Sequence, residues 1–220
     1  MELLVNNISK SFKNIIILKD VNLCFKSGKI YCFYGKNGSG KSVLLKIICG
    51  LYKPDNGEIL FDNKNYNLNN MFAPNLRALI EKPSFFPNLS GFENLKLLAN
   101  IQNKITDDEI LDALKKVNLF DDKDKKYSKY SLGMKQKLGI AQVIMEDPSI
   151  IILDEPFNGI DVESTEKIIN IIKELKRKNK LIIITTHDKD ELNMLSDETI
   201  YFNNGHVETK LKERIVKNEV

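Results

Sequence analysis

Gly35-Lys36-Asn37-Gly38-Ser39-Gly40-Lys41-Ser42 is a glycine-rich stretch ending in Gly-Lys-Ser, and it fits the phosphate-binding pattern G-x-x-x-x-G-K-[ST]. Such a loop constrains the fold because it has to be strung between a strand and a helix. The flanks meet that demand: residues 30–34 form an apolar and aromatic run suited to a buried strand, and residues 43–48 continue as an apolar helix. Glycines let backbone N–H groups close round a polyphosphate, which then also sits at the positive end of the helix. In this pattern Lys41 reaches the β- and γ-phosphates and the Ser42 hydroxyl ligates Mg²⁺. A plain glycine turn is the alternative, and the Gly-Lys-Ser ending with both flanks in place weighs against it.

The 220 residues suffice for one α/β domain over 1–220, with an inserted subdomain but no second domain of that kind. A composition of 42% hydrophobic and 29% charged residues is that of an ordinary globular chain. The net charge of +3 is small and dispersed, so it calls for no nucleic-acid partner. The longest apolar runs are short, such as those at 150–153 and 181–184, and fall far short of the roughly 18 residues that span a bilayer. The start lacks a basic region followed by an apolar core, so no secretory signal is expected. Cys24, Cys32 and Cys49 are odd in number and lack metal-binding spacing, which points to buried, reduced thiols and to the cytosol. Any membrane role would come through a partner.

Polar and apolar residues alternate in the N-terminal stretch, with Val21, Leu23 and Phe25 on one side. With residues 3–8 and 15–18 they predict a small antiparallel sheet before the phosphate loop, and Asp55-Asn56-Gly57 reads as a turn into a further strand at 58–61. The asparagine-rich segment 62–75 reads as irregular surface. Ser90–Glu93 and Thr106–Glu109 fit capping boxes, each followed by helically spaced apolar residues (Phe92, Leu95, Leu98 and Ala99; then Ile110, Leu114 and Val117). A further helix starts near Ser131 with Met134, Leu138, Ala141 and Met145 on one face. Strand patterns return at 150–153 and 181–186, separated by a helix carrying Val162, Ile169, Ile172 and Leu175. A hairpin at Asn203-Asn204-Gly205 closes the pattern. The expected architecture is α/β: a core with a mostly parallel sheet behind the phosphate loop, an N-terminal antiparallel β subdomain and a helical insertion at roughly 85–145.

Four further features carry chemistry. The run 150–153 ends in Asp154 and Glu155; an acid at such a strand end orients Mg²⁺, and the next is placed to polarise a water for attack on the γ-phosphate. A buried strand followed by a solvated acidic turn is the alternative, weakened by the phosphate loop upstream. Ser131 and Gly133 open a helix and could receive an anion, or Ser131 could be an ordinary N-cap. His187 follows the strand 181–186 and could hold the attacking water, or be a loop residue. Phe12 could stack on a base, or pack in a hairpin. His206 reads as structural or exposed.

In this order the motifs resemble the ATP-binding cassette of ABC transporters, over about residues 2–208. The resemblance implies an ATPase that binds ATP and Mg²⁺, a P-loop NTPase core, and two composite sites formed when cassettes meet head to tail as a homodimer or heterodimer. It implies that Phe12 stacks on adenine and that Gly35–Ser42 holds the phosphates. Asp154 takes the metal, Glu155 is the catalytic glutamate and His187 the switch histidine. Asn158–Asp161 resembles the interface loop, and Ser131 with Gly133 contacts nucleotide on the opposite subunit. The usual signature L-S-G-G-Q stands here as Tyr130-Ser131-Leu132-Gly133-Met134-Lys135-Gln136, read as keeping the serine, second glycine and glutamine with Leu132 for the first glycine. The lid glutamine that touches Mg²⁺ is replaced by Glu81. Both departures, with residues 83–91, are similar to the bacterial subgroup exporting bacitracin- and lantibiotic-type peptides. A transmembrane permease is the implied partner, and the implied place is the cytoplasmic face of the membrane. The rival is a soluble cassette ATPase acting on ribosomes or DNA; a lone phosphate loop without sustained heptads or paired cysteines argues against it.

Overall fold

A computed structural model of the chain describes residues 1–65, 72–73, 75–203 and 205–211. Strands β1 (Glu2–Phe12), β2 (Ile15–Lys26) and β4 (Asn56–Phe61) form an antiparallel sheet in the order β2-β1-β4. The second sheet has six strands: β3 (Ile30–Tyr34), β5 (Leu76–Leu79), β6 (Ile150–Asp154), β7 (Leu181–Thr186), β8 (Glu198–Asn203) and β9 (His206–Leu211). Their order is β5-β6-β7-β3-β8-β9, parallel throughout except for the final β8–β9 hairpin. Helix α1 (Lys41–Ile48) follows β3, whereas α2 (Gly91–Gln102), α3 (Asp107–Lys116) and α4 (Leu132–Ile144) lie between β5 and β6. Helices α5 (Val162–Arg177) and α6 (Lys189–Leu195) precede β7 and β8.

The central strands are apolar without interruption because both faces of the sheet are covered. Ile151, Leu153, Ile182 and Ile184 join one core with α2, α3, α4 and α5. Ile150, Ile152, Leu181 and Ile183 point the other way, against α1 and the antiparallel sheet. Residues that alternate along one strand therefore enter two separate cores.

The helix starts follow their capping chemistry. Ser90 Oγ accepts from Glu93 N at 3.1 Å and Glu93 Oε2 accepts from Ser90 N at 2.7 Å. Thr106 N donates to Glu109 Oε2 at 2.8 Å, and Ser131 Oγ accepts from Met134 N at 3.2 Å. Three expectations need correction. Strand β5 was not anticipated; it is a sheet-edge strand of 4 residues. Val162 lies in the first turn of α5 and is 78% exposed, while Ile169, Ile172 and Leu175 are buried. Cys24 is exposed, its thiol donating to Glu2 Oε1 at 3.3 Å, because it shares the outward face of β2 with Asn22 and Lys26. Within the asparagine-rich segment, residues 66–71 and 74 lie outside the described residues, as do Asn204 of the expected hairpin turn and the charged tail beyond 211. Among the described residues no helix is long and apolar enough to cross a membrane.

Candidate nucleotide-binding site

The strand order brings the functional segments to one edge. β7 lies between β6 and β3, pairing Asp154 with Thr185 and Tyr34 with Thr186. The loop after β3, the acidic turn after β6 and the His187 turn after β7 thus leave the sheet side by side, at the carboxyl ends where open α/β sheets bind ligands.

Gly40 precedes α1 with φ 105°, and a Cβ there would lie 2.9 Å from Leu18 Cδ2 and 3.0 Å from Ile17 O. Only glycine suits both the left-handed backbone and the tight fit. Gly40 has no side chain to cap α1, so the first N–H groups of the helix stay open to an anion. Lys36, Asn37 and Gly38 are exposed, and a Cβ on Gly38 would meet nothing within 4 Å. Ser39 Oγ is buried without a hydrogen-bond partner. The loop wraps its own lysine: Lys41 is 5% exposed and its Nζ donates to Gly35 O at 2.7 Å and Lys36 O at 3.0 Å. Burial lowers the Lys41 pKa below the ordinary lysine value, with Glu155 and Asp154 pulling the other way. A cleft of about 950 Å³ opens along residues 34–39, His187 and the β8–β9 hairpin.

On the neighbouring strand end, Asp154 is 7% exposed and accepts from Thr185 Oγ1 at 2.5 Å. The same hydroxyl accepts from Glu155 N at 2.8 Å. Glu155 takes a left-handed conformation, φ 47°, which costs a side-chain-bearing residue roughly 1–2 kcal/mol and must be held from outside. Its carboxylate accepts from Asn158 Nδ2 and lies 3.4 Å from His187 Nδ1. Lys41, Asp154, Glu155 and His187 therefore belong to one strand-end cluster, as expected of residues serving one phosphate.

Phe12 ends β1, is 41% exposed, and meets Tyr52 edge to face at 5.6 Å, with Lys10 Nζ 5.3 Å from its ring centre. Glu81 is largely exposed, and its carboxylate pairs with Lys46 Nζ at 2.5 Å. That hydrogen bond raises the Lys46 pKa. Ser131 and Leu132 are exposed at the start of α4, and Gly133 is half-buried; none of the three lines the cleft beside the phosphate loop. Gln136 departs from its expected place. It is 6% exposed, and its Nε2 donates to Glu155 O and Pro156 O at 3.2 Å each. Laying L-S-G-G-Q on 130–134 gives Met134, not Gln136, the motif's glutamine position. Thr185 was not foreseen as a site residue, though a threonine pair ending an apolar run was a visible signal.

These residues suit Mg-nucleotide. The uncapped helix start, the open side of Gly38 and the orphaned Ser39 hydroxyl fit a polyphosphate. Ser42 and Asp154 offer hard oxygen ligands. Among the described residues no group of three or more His, Cys, Asp or Glu could hold a metal.

Residues 18–158 match the family described as ABC transporter. The chain is 37% identical over 94% of its length to the uncharacterized ABC transporter ATP-binding protein YybJ of Bacillus subtilis, covering 95% of it. It is 35% identical over 91% of its length to the bacitracin transport ATP-binding protein BcrA of Enterococcus faecalis, covering 66% of that protein. The lantibiotic transport ATP-binding protein SrtF of Streptococcus pyogenes is 34% identical over 88% of this chain and 83% of its own length. Among solved structures, a dimeric ATP-binding cassette in a post-hydrolysis state bound to ADP and Pi superposes with a TM-score of 0.86, at 26% identity over 95% of this chain and 98% of that one. The matching family model and sequence relatives that span nearly the whole chain thus show that it belongs to the ABC transporter family as an ATP-binding, ATP-hydrolysing subunit.

Proposed function

We propose that this cassette hydrolyses Mg-ATP at composite sites between two copies or two related cassettes, and that the cycle drives a permease exporting an antimicrobial peptide or drug. The observation carrying the catalytic part is Glu155 and His187 meeting at 3.4 Å, one residue beyond buried Asp154, on the strands beside the phosphate loop.

In this reading the N–H groups of 35–42 and Lys41 hold the β- and γ-phosphates, Lys41 exchanging its carbonyl partners Gly35 and Lys36 for phosphate oxygens. Ser42 and Asp154 would hold Mg²⁺, which supplies neutralisation of charge developing on the phosphates. Glu155 accepts the proton of the attacking water, and His187 donates a hydrogen bond on the γ-phosphate side. Phe12 offers a face for the base, with Tyr52 packed behind it. Ser131, exposed at the start of α4, and the half-buried Gly133 beside it are offered to nucleotide held by a second cassette. Glu81 is a candidate metal contact once released from Lys46.

The permease part draws support from a groove of about 440 Å³ lined by Pro83, Phe85, Phe86, Leu97, Leu98 and Gln142. Phe86 and Leu97 are 64% and 45% exposed, and an apolar surface of this kind rimmed by polar residues suits a partner protein. The names of the bacitracin and lantibiotic relatives support peptide export. The test is Glu155→Gln: the parental chain hydrolyses ATP, and the variant keeps ATP binding but accumulates ATP-bound dimers in size-exclusion chromatography. Parental turnover by the variant would remove Glu155 from its role.

A further inference from the structure

One buried polar side chain has no part in the chemistry so far. Gln136 sits in the second turn of α4, 6% exposed, with both of its hydrogen bonds on the turn after β6. It donates to the carbonyl of Glu155 at 3.2 Å and to that of Pro156 at 3.2 Å. From the opposite side the Glu155 N–H donates to Thr185 Oγ1 at 2.8 Å. Glu155 is therefore held at its N–H by β7 and at its C=O by α4, while its φ of 47° is one that side-chain-bearing residues rarely keep without such restraint.

We propose that Gln136 is a positioning residue for hydrolysis. Resting on the reading of Glu155 as the base, its amide pins the Glu155–Pro156 peptide so that the carboxylate stays beside His187. Without the amide donor, two carbonyls lose a partner and the peptide is free to rotate toward a common backbone region, swinging the carboxylate away from the γ-phosphate position. The start of the same helix is fitted to the same turn: a Cβ on Gly133 would lie 2.7 Å from Gly159 O, and one on Gly159 would lie 2.6 Å from Leu132 Cδ2. Helix α4 thus grips the segment 155–159 at two places, and Gln136 is the grip on the base.

Gln136→Met keeps side-chain length and removes the donor. Its kcat for ATP should fall at least tenfold, while KM and the affinity for a fluorescent ATP analogue stay within twofold of parent. Gln136→Glu keeps the shape and can donate only when protonated. Its kcat, taken as a ratio to the parent at each pH, should fall as pH rises. Parental kcat in Gln136→Met would overturn the proposal, as would a drop in which kcat and affinity fall together, the mark of a packing role. If Gln136→Met does not fold, a pH-independent Gln136→Glu ratio overturns it. Glu155→Gln separates the two levels. If that variant turns over at the parental rate, the catalytic reading itself fails; if it is inactive while Gln136→Met is parental, only the positioning role fails.

Discussion

Thr185→Val tests how the acid pair is held. Thr185 is fully buried, and its hydroxyl joins Asp154 Oδ1 at 2.5 Å to Glu155 N at 2.8 Å. Valine matches the volume and the β-branching, so the perturbation is one hydroxyl. The carboxylate loses a charge-assisted bond worth about 1.5–3 kcal/mol, and the N–H loses its acceptor at about 1–3 kcal/mol. Glu155 is only half-buried, so water can recover part of the second loss. A net destabilisation of about 2–4 kcal/mol follows. For chains of 150–250 residues each kcal/mol moves Tm by about 2–4 °C, so Tm should fall by roughly 4–16 °C. Thr185→Ser keeps the hydroxyl and removes one methyl, worth about 1 kcal/mol, hence a few degrees at most. Differential scanning calorimetry without nucleotide should rank parent above serine above valine. A valine variant as stable as the serine variant would refute the reasoning, since it would mean that the bridging hydroxyl adds nothing beyond packing.

Gly40→Ala combines φ 105° with a Cβ 3.0 Å from Ile17 O, so nucleotide affinity should drop well over tenfold in a fluorescent-analogue titration. Gly38→Ala adds a Cβ with nothing within 4 Å at φ 78°, and should cost no more than the backbone strain of roughly 1–2 kcal/mol, a factor of about 5–30 and less than Gly40→Ala. Glu191 supplies a pH test. Burial raises its carboxyl above the ordinary 4.5, opposed by the hydrogen bond from Thr186. The folded chain then holds this proton more tightly than the unfolded one, so stability from this group is complete below pH 4.5 and lost as pH rises through the raised value. Glu191→Gln keeps an acceptor for Thr186 and removes the titration. Melting curves across this range should show the variant gaining on the parent as pH increases, and parallel curves would contradict the assignment.

What could be read in the chain beforehand depended on how local the signal was. Lys41, Asp154, Glu155 and His187 each stand inside a contiguous pattern of strand, polar residue and turn, so their neighbours announce them. The apolar runs of β6 and β7 were legible because both faces are buried. Strand β5 was not, because 4 residues with Arg77 among them carry no period; that guanidinium donates to Glu146, just past the C-terminal end of α4. The Lys46–Glu81 pair and the bonds of Gln136 join residues 35 and 19–20 positions apart. Such contacts exist only once the fold is in place. Cys24 shows the reverse case: cysteine is among the residue types most often buried, but the alternation of β2 turns this one outward.

Strands with oily residues on both sides carry little information about their own alignment. Were β7 to slide by one position along β6, one isoleucine would replace another on either side, and the interior would scarcely register the change. The difference is felt at the tip, where Asp154 stands opposite Thr185. A residue gained within β7 would set Asp154 against Ile184, which cannot donate to it. The polar tip therefore acts as the index mark that keeps two interchangeable ribbons in step.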